Sequence, residues 1–544
     1  MGGEVVIAYL IAQGASTLYK VDLSTGTATA LTLPTGVTLS TTRKPQFAIL
    51  NQWVVMTNSP TRNLAIDPEG TVRVLVPFAP AHPPSVAAGS GTGLTGAYQF
   101  KTSFIVTNSD GELLMESPLS PASDSVTLSS QNASLTDVAT SLDDISARRI
   151  YRTLAGGTAY YHLLDHEGNS STALVNGTSD DSVELLPALS DTLTSPPGTI
   201  PGIRFKCIVE WKSRLWAVAD EPSLQDTIYI SETNKVYAWP NTITAHPAGQ
   251  DEFGIIALAA RRNQLGILKR NGVWQIAASS SGTGISTNQI QISQIGFDKA
   301  GCVATNSVVS VNNKVYWLGN DGIYEWDDNG IKNISEESVA PWFKTGTYFN
   351  RSRFSSAFAK YNELRDQYEL HLANAGDSTE NRWVAFNITT RKWFGPHLTS
   401  AFTPSHAGSA FDSNGLPVAL VGGTDGVIYT ANSTNYRDAA ATAIDFDCYG
   451  PFHHGDAPDI EHQWLDLSML TKIESGGTLT ITPYVGRLDA SAGTAISHTL
   501  TTGRQNLRRL GRGPMMRLRF RENTANQGVS IYGYEIGWFE MGKR

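Results

Sequence analysis

The chain of 544 residues is poor in cysteine and in charge. Its three cysteines, Cys207, Cys302 and Cys448, are odd in number and far apart, which argues against a secreted scaffold held by disulfides. Charged residues make up 17% of the chain, and the formal net charge is −9. General nucleic-acid coating proteins are usually basic, so this charge argues against that class.

Long apolar runs are also missing. No segment reaches the ~18 apolar residues that a transmembrane helix needs, so the sequence predicts no membrane-spanning segment. The apolar run 5–12 follows Glu4 with no Lys or Arg before it, and it therefore lacks the basic start of a signal peptide. We interpret this run as the first strand of the fold.

The sequence has no long stretch with the apolar spacing of an amphipathic helix. It is instead rich in glycine, with 49 residues, and Thr, Ser and Val recur throughout. This composition predicts an all-β protein with many turns.

A short phrase recurs along the chain: an apolar run, then Asn-Gly or Asp-Gly, then a second apolar run with Tyr or Trp. It occurs at 265–274 (LGILKRNGVW), 315–324 (VYWLGNDGIY) and 418–429 (VALVGGTDGVIY). Asn-Gly and Asp-Gly supply the positive φ angles of tight turns, so each phrase predicts a β-hairpin. Gly272 and Gly322 lie 50 residues apart, and Gly426 follows 104 residues later. A period of about 50 residues is typical of propeller blades.

Weaker copies of the phrase bring the candidate units to seven; they lie at 16–26, 52–66, 214–237 and 382–393. The segments 1–80 and 200–437 therefore predict a β-propeller of about seven blades. The length does not exclude six or eight blades.

Two further segments carry strand patterns of their own. Residues 81–199 lie between proline-rich stretches and contain about seven short strands, which predicts an immunoglobulin- or fibronectin type III-like sandwich inserted between two blades. Within it, the alternation over 98–106 predicts one strand with a single buried face, and 182–185 (SVEL) predicts another strand. Residues 438–544 again alternate apolar and polar side chains, which predicts a C-terminal β-sandwich.

Three sets of residues resemble catalytic or ligand-binding motifs, but a purely structural role fits each of them better. The sequence GTGLTG at 91–96 matches a dinucleotide-binding formula, yet it leads into a strand where a helix is required. A His- and acid-rich cluster has suitable metal ligands without the spacing of a recognised site. Paired aspartates sit in turn-like contexts, where Asp accepts hydrogen bonds from its own backbone. The cluster comprises His453, His454, Asp456, Asp459, Glu461 and His462, and the pairs are Asp143-Asp144, Asp180-Asp181 and Asp327-Asp328. We predict no catalytic residue, no cofactor and no metal.

The densest cationic stretch lies near the C-terminal end. Between the apolar residues Met516, Leu518 and Phe520, arginines face the other side of a predicted strand. Three interpretations stay open: contacts with nucleic-acid phosphates, contacts with acidic groups of a neighbouring protein, and a solvated sheet face. No aromatic platform is interleaved with the arginines, which speaks against binding of single strands. The arginines are Arg504, Arg508, Arg509, Arg512, Arg517, Arg519 and Arg521.

The predicted order of domains resembles the tail hub or nozzle proteins of short-tailed bacteriophages, in which a sandwich interrupts the propeller after two blades and a β-domain closes the chain. Residues 147–153 (ARRIYRT), 228–240 (IYISETNKVYAWP) and 255–274 are similar to strands of that family. The resemblance spans almost the whole chain, and its motifs are structural. It carries over no catalytic residue.

The resemblance implies a non-enzymatic structural protein of the virion, made in the host cytoplasm and built into the phage tail. Identical subunits, six by expectation, would form a ring below the portal and adaptor, with tail fibre or distal tail proteins as further neighbours. Double-stranded DNA would pass through the channel during ejection without specific binding, because an acidic chain repels phosphate. The candidates for contacts between subunits are then Arg508, Arg509, Arg512, Arg517, Arg519 and Arg521.

Two alternatives belong to other classes. A carbohydrate-binding or carbohydrate-cleaving propeller would have a pocket of acids and aromatics on its axis. A host-surface adhesin could be mounted on the same tail. The tail ring instead predicts subunit interfaces well above ~1,000 Å².

Overall fold

The protein is described here by a computed structural model. The described residues are 9–57, 60–108, 110–170, 174–186, 203–239, 244–245, 254–277, 290–399, 402–412, 415–431, 437–438, 442–443, 446–455, 460–473, 478–486, 491–492, 495–499, 503–522 and 529–541.

The described chain is all-β, and small antiparallel sheets follow one another along it. It divides into two compact units, Met1–His397 with His406–Ala419, and Leu398–Ser405 with Leu420–Arg544. The four domains expected from the sequence, 1–80, 81–199, 200–437 and 438–544, stay a prediction, because these two compact units divide the chain at different residues.

Seven sheets of the described residues are meanders in which each strand pairs with the next one along the chain. We number them as blades 1 to 7. Blade 1 contains β1 (Tyr9–Gln13), β2 (Leu18–Asp22) and β3 (Ala28–Leu31), and blade 2 contains β4 (Phe47–Leu50), β5 (Trp53–Met56), β6 (Leu64–Ile66) and β7 (Val72–Val74).

An inserted domain follows blade 2. Its elements are β8 (Ser85–Tyr98), β9 (Phe100–Thr107), β10 (Leu113–Glu116), β11 (Val126–Thr136), β12 (Ala147–Thr153), β13 (Tyr160–Glu167), β14 (Leu174–Asn176) and the helix α1 (Asp180–Glu184).

Blades 3 to 7 follow the insertion. Blade 3 contains β15 (Phe205–Trp211), β16 (Arg214–Ala219), β17 (Ile228–Ile230) and β18 (Thr244–Ala245). Blade 4 contains β19 (Ile255–Ala260), β20 (Gln264–Lys269), β21 (Gly272–Ala277) and β22 (Gln291–Phe297). Blade 5 contains β23 (Val309–Val311), β24 (Lys314–Leu318), β25 (Ile323–Asp327) and β26 (Gly330–Asn333). Blade 6 contains β27 (Phe358–Asn362), β28 (Gln367–Leu372), β29 (Arg382–Asn387) and β30 (Trp393–Leu398). Blade 7 contains β31 (Pro404–Phe411), β32 (Pro417–Gly423) and β33 (Ile428–Thr430).

The boundary between the two compact units runs through blade 7. Between blades 5 and 6 lies the helix α2 (Ala340–Lys344), and short 3-10 helices cover Asp298–Ala300, Thr305–Ser307, Arg351–Ser356 and Glu363–Arg365.

Successive blades share hydrophobic clusters, which is how a propeller buries the two faces of each sheet. Each cluster contains buried residues of two neighbouring blades. In order from blades 1 and 2 to blades 5 and 6, examples are Leu18 with Met56, Trp53 with Phe205, Trp216 with Trp274, Leu268 with Trp317, and Tyr316 with Tyr368. The first strands also lie side by side, because β15 contacts β4 and β19, and β23 contacts β19 and β27.

Polar contacts join blades that are distant in sequence. Lys44, just before β4, donates through Nζ to the carbonyl of Ser356, just before β27, at 2.7 Å. Gln46 donates to the carbonyl of Thr305, just before β23. The starts of these first strands therefore converge, as they do around the axis of a propeller. The predicted fold class is confirmed: an all-β chain with a propeller of about seven blades.

The glycines of the recurring phrase play different parts. Gly426 has φ +81°, as the turn prediction requires. Gly272 and Gly322 do not have positive φ, and the prediction is wrong for them. At both positions a side chain would instead collide with a neighbour: the carbonyl of Gly296 for Gly272, and the Ser335 hydroxyl for Gly322. Close approach, and not turn geometry, explains these two glycines.

The inserted domain is a sandwich of two sheets with strand orders β10-β9-β12-β13 and β14-β11-β8. The predicted strand over 98–106 is in fact two strands, since β8 ends at Tyr98 and β9 begins at Phe100 in the other sheet. The central residues of β9 are buried on both faces, and Val106 belongs to the core shared with blades 2 and 3. The expectation of a single buried face was therefore wrong.

The predicted strand at 182–185 is also wrong. The segment forms α1, and the Ser179 hydroxyl accepts a hydrogen bond from the backbone N–H of Ser182 at its start. Asp180 and Asp181 occupy the first turn, where the positive end of the helix dipole favours acids. These capping contacts outweigh the strand propensity of a single valine.

The last strands of the chain are β34 (Arg437–Asp438), β35 (Thr442–Ala443), β36 (Phe446–Tyr449), β37 (His462–Ile473), β38 (Thr478–Gly486), β39 (Ser491–Ala492), β40 (Ile496–Thr499), β41 (Gly503–Gly513), β42 (Met515–Glu522) and β43 (Val529–Glu540). They include two sheets, β36-β42-β38-β39 with β40 on β38, and β41-β37-β43. Both contribute to one core with Trp464, Met469 and Phe520, which confirms the predicted C-terminal sandwich.

The three cysteines are free, as the sequence predicted. Burial raises the pKa of the Cys207 thiol to about 11 and that of Cys302 to about 12, so both pack as neutral side chains. In the part of the chain that the structure describes, no helix combines the length and the apolar character of a membrane span.

Candidate subunit-contact face

The arginine-rich strand β42 alternates as the sequence predicts. Met516, Leu518 and Phe520 are buried in the sandwich core, and Arg517, Arg519 and Arg521 lie on the opposite side. The strand lies between β36 and β38, and its arginines are half-buried beside the side chains of those neighbours. The face is therefore less exposed than the sequence suggested.

Arg519 is paired within the sandwich. Its Nε donates to Oδ1 of Asp447 on β36 at 2.7 Å, and a second guanidinium nitrogen contacts the other carboxylate oxygen. This fork geometry is the strongest form of an Arg–carboxylate contact. The hydrogen bonds and charge of Arg519, with the charge of Arg521, lower the pKa of Asp447 below its ordinary value. The charge of Arg519 is thus largely neutralised inside one subunit.

Arg512 is also paired with a carboxylate, through one of its oxygens. Its Nε and a terminal nitrogen both donate to Oε2 of Glu461, at 2.9 and 2.6 Å. Arg508 and Arg509 lie on β41, where Arg508 is opposite Asp466 of β37, but their side chains fall outside the described residues. The side chain of Arg504 does so too.

Arg517 lies among aromatic rings. Its guanidinium carbon is 4.7 Å from the ring centre of Tyr449, 4.8 Å from that of Phe452 and 5.3 Å from that of Tyr484. Cation–π attraction holds a guanidinium at such distances. Its Nε is buried and has no hydrogen-bond partner among the described residues. We call Arg517, Tyr449, Phe452 and Tyr484 the Arg517 patch.

No aromatic platform is interleaved with the arginines in the sequence, but the structure places aromatic rings beside them. Strand pairing brings the rings in, since Tyr484 is opposite Arg517 and Tyr449 is opposite Arg519. These tyrosines precede the arginines by more than 30 residues in sequence, so only the sheet register places them together. Tyr449 is 48% exposed, which leaves the patch accessible on the sandwich.

Where the structure describes them, the other sequence candidates lie in a strand or in local side-chain contacts. Residues 91–96 lie within strand β8 itself, whereas the sequence analysis placed GTGLTG before a strand. In the acid- and His-rich cluster, Asp456 and Asp459 lie outside the described residues, while Glu461 binds Arg512 and His453 contacts the hydroxyl of Tyr534 at 3.1 Å. No group of three or more His, Cys, Asp or Glu residues in the described ranges is placed to hold a metal ion.

The paired aspartates differ from one another. Asp327 accepts from the backbone N–H of Asn329 at 2.8 Å, which is the predicted turn contact. Asp143 instead receives both terminal nitrogens of Arg62, at 2.8 and 3.0 Å, and both side chains are buried. A role in a local turn does not fully describe Asp143, because its contact with Arg62 joins the inserted domain to blade 2.

No protein-family model matches the chain, and no curated protein is similar to it. Among solved structures, Hsv2 from Kluyvelomyces marxianus is 7% identical, with a TM-score of 0.27, over 55% of this chain and 71% of that chain. YCF48 bound to a D1 peptide is 7% identical, with a TM-score of 0.26 over 52% and 74% of the chains. The N-terminal domain of Nup159 is 10% identical, with a TM-score of 0.24 over 52% and 86%. Similarity at this level carries no argument about function, and the fold assignment rests on the sheets themselves.

Proposed function

We propose that the chain is a non-enzymatic structural subunit of a bacteriophage tail. Identical copies would form a hub or nozzle ring attached below the portal and adaptor, and double-stranded DNA would pass through it during ejection. The observation that carries the proposal is the place of the inserted sandwich, between β7 of blade 2 and β15 of blade 3. This place and the C-terminal sandwich agree with the domain order on which the family resemblance rests.

The electrostatics are compatible with a conduit. A channel for DNA should not hold its cargo, and the formal net charge of −9 disfavours tight contact with phosphate. The arginines that could bind phosphate are in part occupied, since Arg512 and Arg519 already pair with Glu461 and Asp447. The Arg517 patch is the better candidate for a contact between subunits, because aromatic residues and Arg are enriched in protein interfaces.

Two measurements on the full chain test the proposal. Mass photometry should detect a closed ring of several subunits, and electron microscopy of the particles should place an antibody against the chain at the tail. A chain that is monomeric at micromolar concentration would contradict a ring that assembles by itself. Particles whose tails carry no label would overturn the tail assignment altogether.

The same measurements separate the alternatives. A carbohydrate-binding propeller would be a monomer with a ligand pocket on its axis. An adhesin would be labelled at the outer tip of the tail and would not require a ring with a central channel.

A further inference from the structure

The three arginines of strand β12 in the inserted domain differ in how their charges are compensated. Arg149 donates through Nε and Nη2 to the two carboxylate oxygens of Asp165, at 2.8 and 2.9 Å. Arg152 donates through Nη2 to the carboxylate of Asp180 at 2.8 Å. Arg148 is fully buried, and in the described chain its guanidinium contacts a backbone carbonyl and no carboxylate.

Arg148 lies on the inner face of its strand. Side chains alternate along β12, so Arg148 is on the same face as Ile150, which belongs to the core between the two sheets of the sandwich. Its cross-strand neighbours are Phe104 on β9 and His166 on β13. Arg149 and the carboxylate that it binds lie on the opposite face of the sheet, so that carboxylate does not compensate the charge of Arg148.

The donors that are left open on Arg148 form a fork. Its Nη1 donates to the carbonyl of Val138 at 3.3 Å, whereas Nε and Nη2 are buried without a partner among the described residues. The same two nitrogens hold a carboxylate in Arg149 and in Arg519. Two parallel N–H donors at this spacing match two oxygens of a planar anion.

A guanidinium in this position needs a counter-charge. Arginine stays protonated in proteins, so it does not escape the cost of burial by losing its proton, as a buried lysine or histidine does. Burial lowers the pKa of Arg148; burial and then the charge of Arg148 lower the pKa of His166. A buried charge without a partner is strongly destabilising, and water would satisfy the donors without compensating the charge.

We propose that the open fork of Arg148 binds a small monovalent anion, of the class of nitrate, formate, bicarbonate and chloride. One negative charge neutralises one guanidinium, whereas a dianion would bury a second, uncompensated charge. The two parallel donors favour the planar oxyanions over chloride, which accepts both N–H groups at a single atom. This site lies inside the inserted domain and does not depend on the tail function.

The connection between β11 and β12 offers a way in. Val138 belongs to this connection, which is tied to the segment after β13 by two hydrogen bonds between Ser141 and Asn169, at 2.8 and 2.7 Å. Connections of this kind open locally without unfolding of the domain. We therefore expect the anion to exchange with solvent when this contact opens, and to hold the connection closed when it is bound.

Hydrogen exchange of the full chain, followed by mass spectrometry, tests the site. The protein is compared in the sodium salts of nitrate, formate, chloride, sulfate and gluconate at equal ionic strength, with gluconate as an anion too large for a buried fork. We expect peptides from 137–153 to exchange at least about three-fold more slowly in nitrate than in gluconate, because a bound ligand stabilises the closed state. Peptides of the C-terminal sandwich should exchange alike in all five salts.

The decisive variant is Arg148→Met, which removes the fork and the buried charge together and should exchange alike in every salt. Arg149→Lys is the matched control, because it changes the next residue of the strand, keeps the charge and should leave the nitrate effect in place. If Arg148→Met does not fold, Arg148→Lys keeps the charge without the fork and should lose the preference for nitrate over chloride.

Three results would overturn the proposal. The first is equal exchange of 137–153 in all five salts, which would mean that water or another part of the chain satisfies Arg148. The second is a nitrate effect that persists unchanged in the Arg148 variants, which would place the anion elsewhere. The third is protection by sulfate as strong as that by nitrate, which would contradict a monovalent site.

Discussion

At the scale of single residues, buried charges decide contacts that a local interpretation of the sequence misses. Asp143 looks like a turn residue, yet it accepts from Arg62, which lies 81 positions earlier in the chain. It also accepts from the backbone N–H of Phe78 at 3.0 Å. The carboxylate therefore holds the inserted domain, blade 2 and the segment that links them.

We expect Asp143→Asn to destabilise the protein by roughly 3 kcal/mol, because it leaves the buried Arg62 without its counter-charge. The measurement is the midpoint of urea unfolding, followed by fluorescence. Asp144→Asn is the control, since Asp144 is exposed, and we expect it to change stability by less than about 0.5 kcal/mol. Equal midpoints for both variants would show that the bridge does not stabilise the fold.

At the scale of elements, the glycine of the Asp-Gly phrase is required for different reasons in different blade hairpins. Asp-Gly at 425–426 is a turn signal in the ordinary sense, whereas Gly322 is required because Ser335 lies against it. The Ser335 hydroxyl accepts from the backbone N–H of Ile323 at 3.1 Å and donates to Asn333 at 2.6 Å. A side chain at position 322 would disturb this contact between β25 and the residues after β26.

We therefore expect Gly322→Ala to lower the free energy of unfolding by about 1–3 kcal/mol through overpacking. Gly408→Ala is the matched control, because Gly408 does not have positive φ and an added methyl group there would meet nothing within 4 Å. Thermal unfolding of the two variants provides the comparison. A stabilised Gly322→Ala variant would contradict the close approach, since removing a glycine otherwise stabilises through the unfolded state.

Blade 6 contains a stack of rings that we expect to make stability depend on pH. His371 lies parallel to Phe358 with centroids 4.8 Å apart, faces Trp383 at 6.1 Å, and has no hydrogen-bond partner in the described chain. Burial, followed by the charges of Lys360 and Lys44, lowers its pKa well below the ordinary value. His406 also packs against Phe358, with ring centroids 5.7 Å apart, and burial lowers its pKa to about 4.

Both shifts have the same consequence for stability. The unfolded chain takes up these protons near pH ~6.5, whereas the folded chain takes them up only at lower pH. The contribution of these two histidines to the free energy of unfolding is therefore fully present above about pH 6.5, and it is lost as the pH falls toward 4. We expect a loss on the order of 1 kcal/mol or more between pH 7 and pH 5, measured by thermal unfolding. His371→Phe keeps an aromatic ring and should reduce that loss; an unchanged pH profile in this variant would count against His371 as its source.

At the scale of the whole molecule, the proposed assembly would depend on charges that are not already paired within the chain. Arg519 and Arg512 are paired with Asp447 and Glu461, whereas Arg517 contacts only aromatic rings in the contacts described. If the proposed ring uses this face, Arg517 should matter more than its neighbours. Changing all the arginines at once would not separate assembly from the loss of internal ion pairs.

We expect Arg517→Glu to weaken ring formation at least ten-fold, as measured by mass photometry over a concentration series. Arg517→Lys keeps the charge and should retain most of the assembly. The double variant Asp447→Arg with Arg519→Asp exchanges the charges of an internal pair and should assemble as the unchanged protein does. If the Arg517→Glu variant assembles as the unchanged protein does, the Arg517 patch is not part of the subunit interface.

The sequence alone determined the class of the fold, because its signals are local. Turn residues at regular intervals and alternating apolar residues are sufficient to define short antiparallel strands, and their spacing predicted about seven blades. The alternation of Met516, Leu518 and Phe520 likewise placed the three arginines of β42 on one side of a strand. What the arginines face could not be predicted in this way.

Tertiary structure decided the contacts that join distant segments. The rings of Tyr449 and Tyr484 reach Arg517 only through the register of β36, β42 and β38, and Arg62 reaches Asp143 only when the inserted domain docks on blade 2. A cavity in the C-terminal sandwich likewise combines residues of 452–455, 464–468 and 534–538, three segments that no periodicity connects. The physical reason is that strand patterns record which side of a strand is buried, whereas side-chain partners depend on which strands become neighbours.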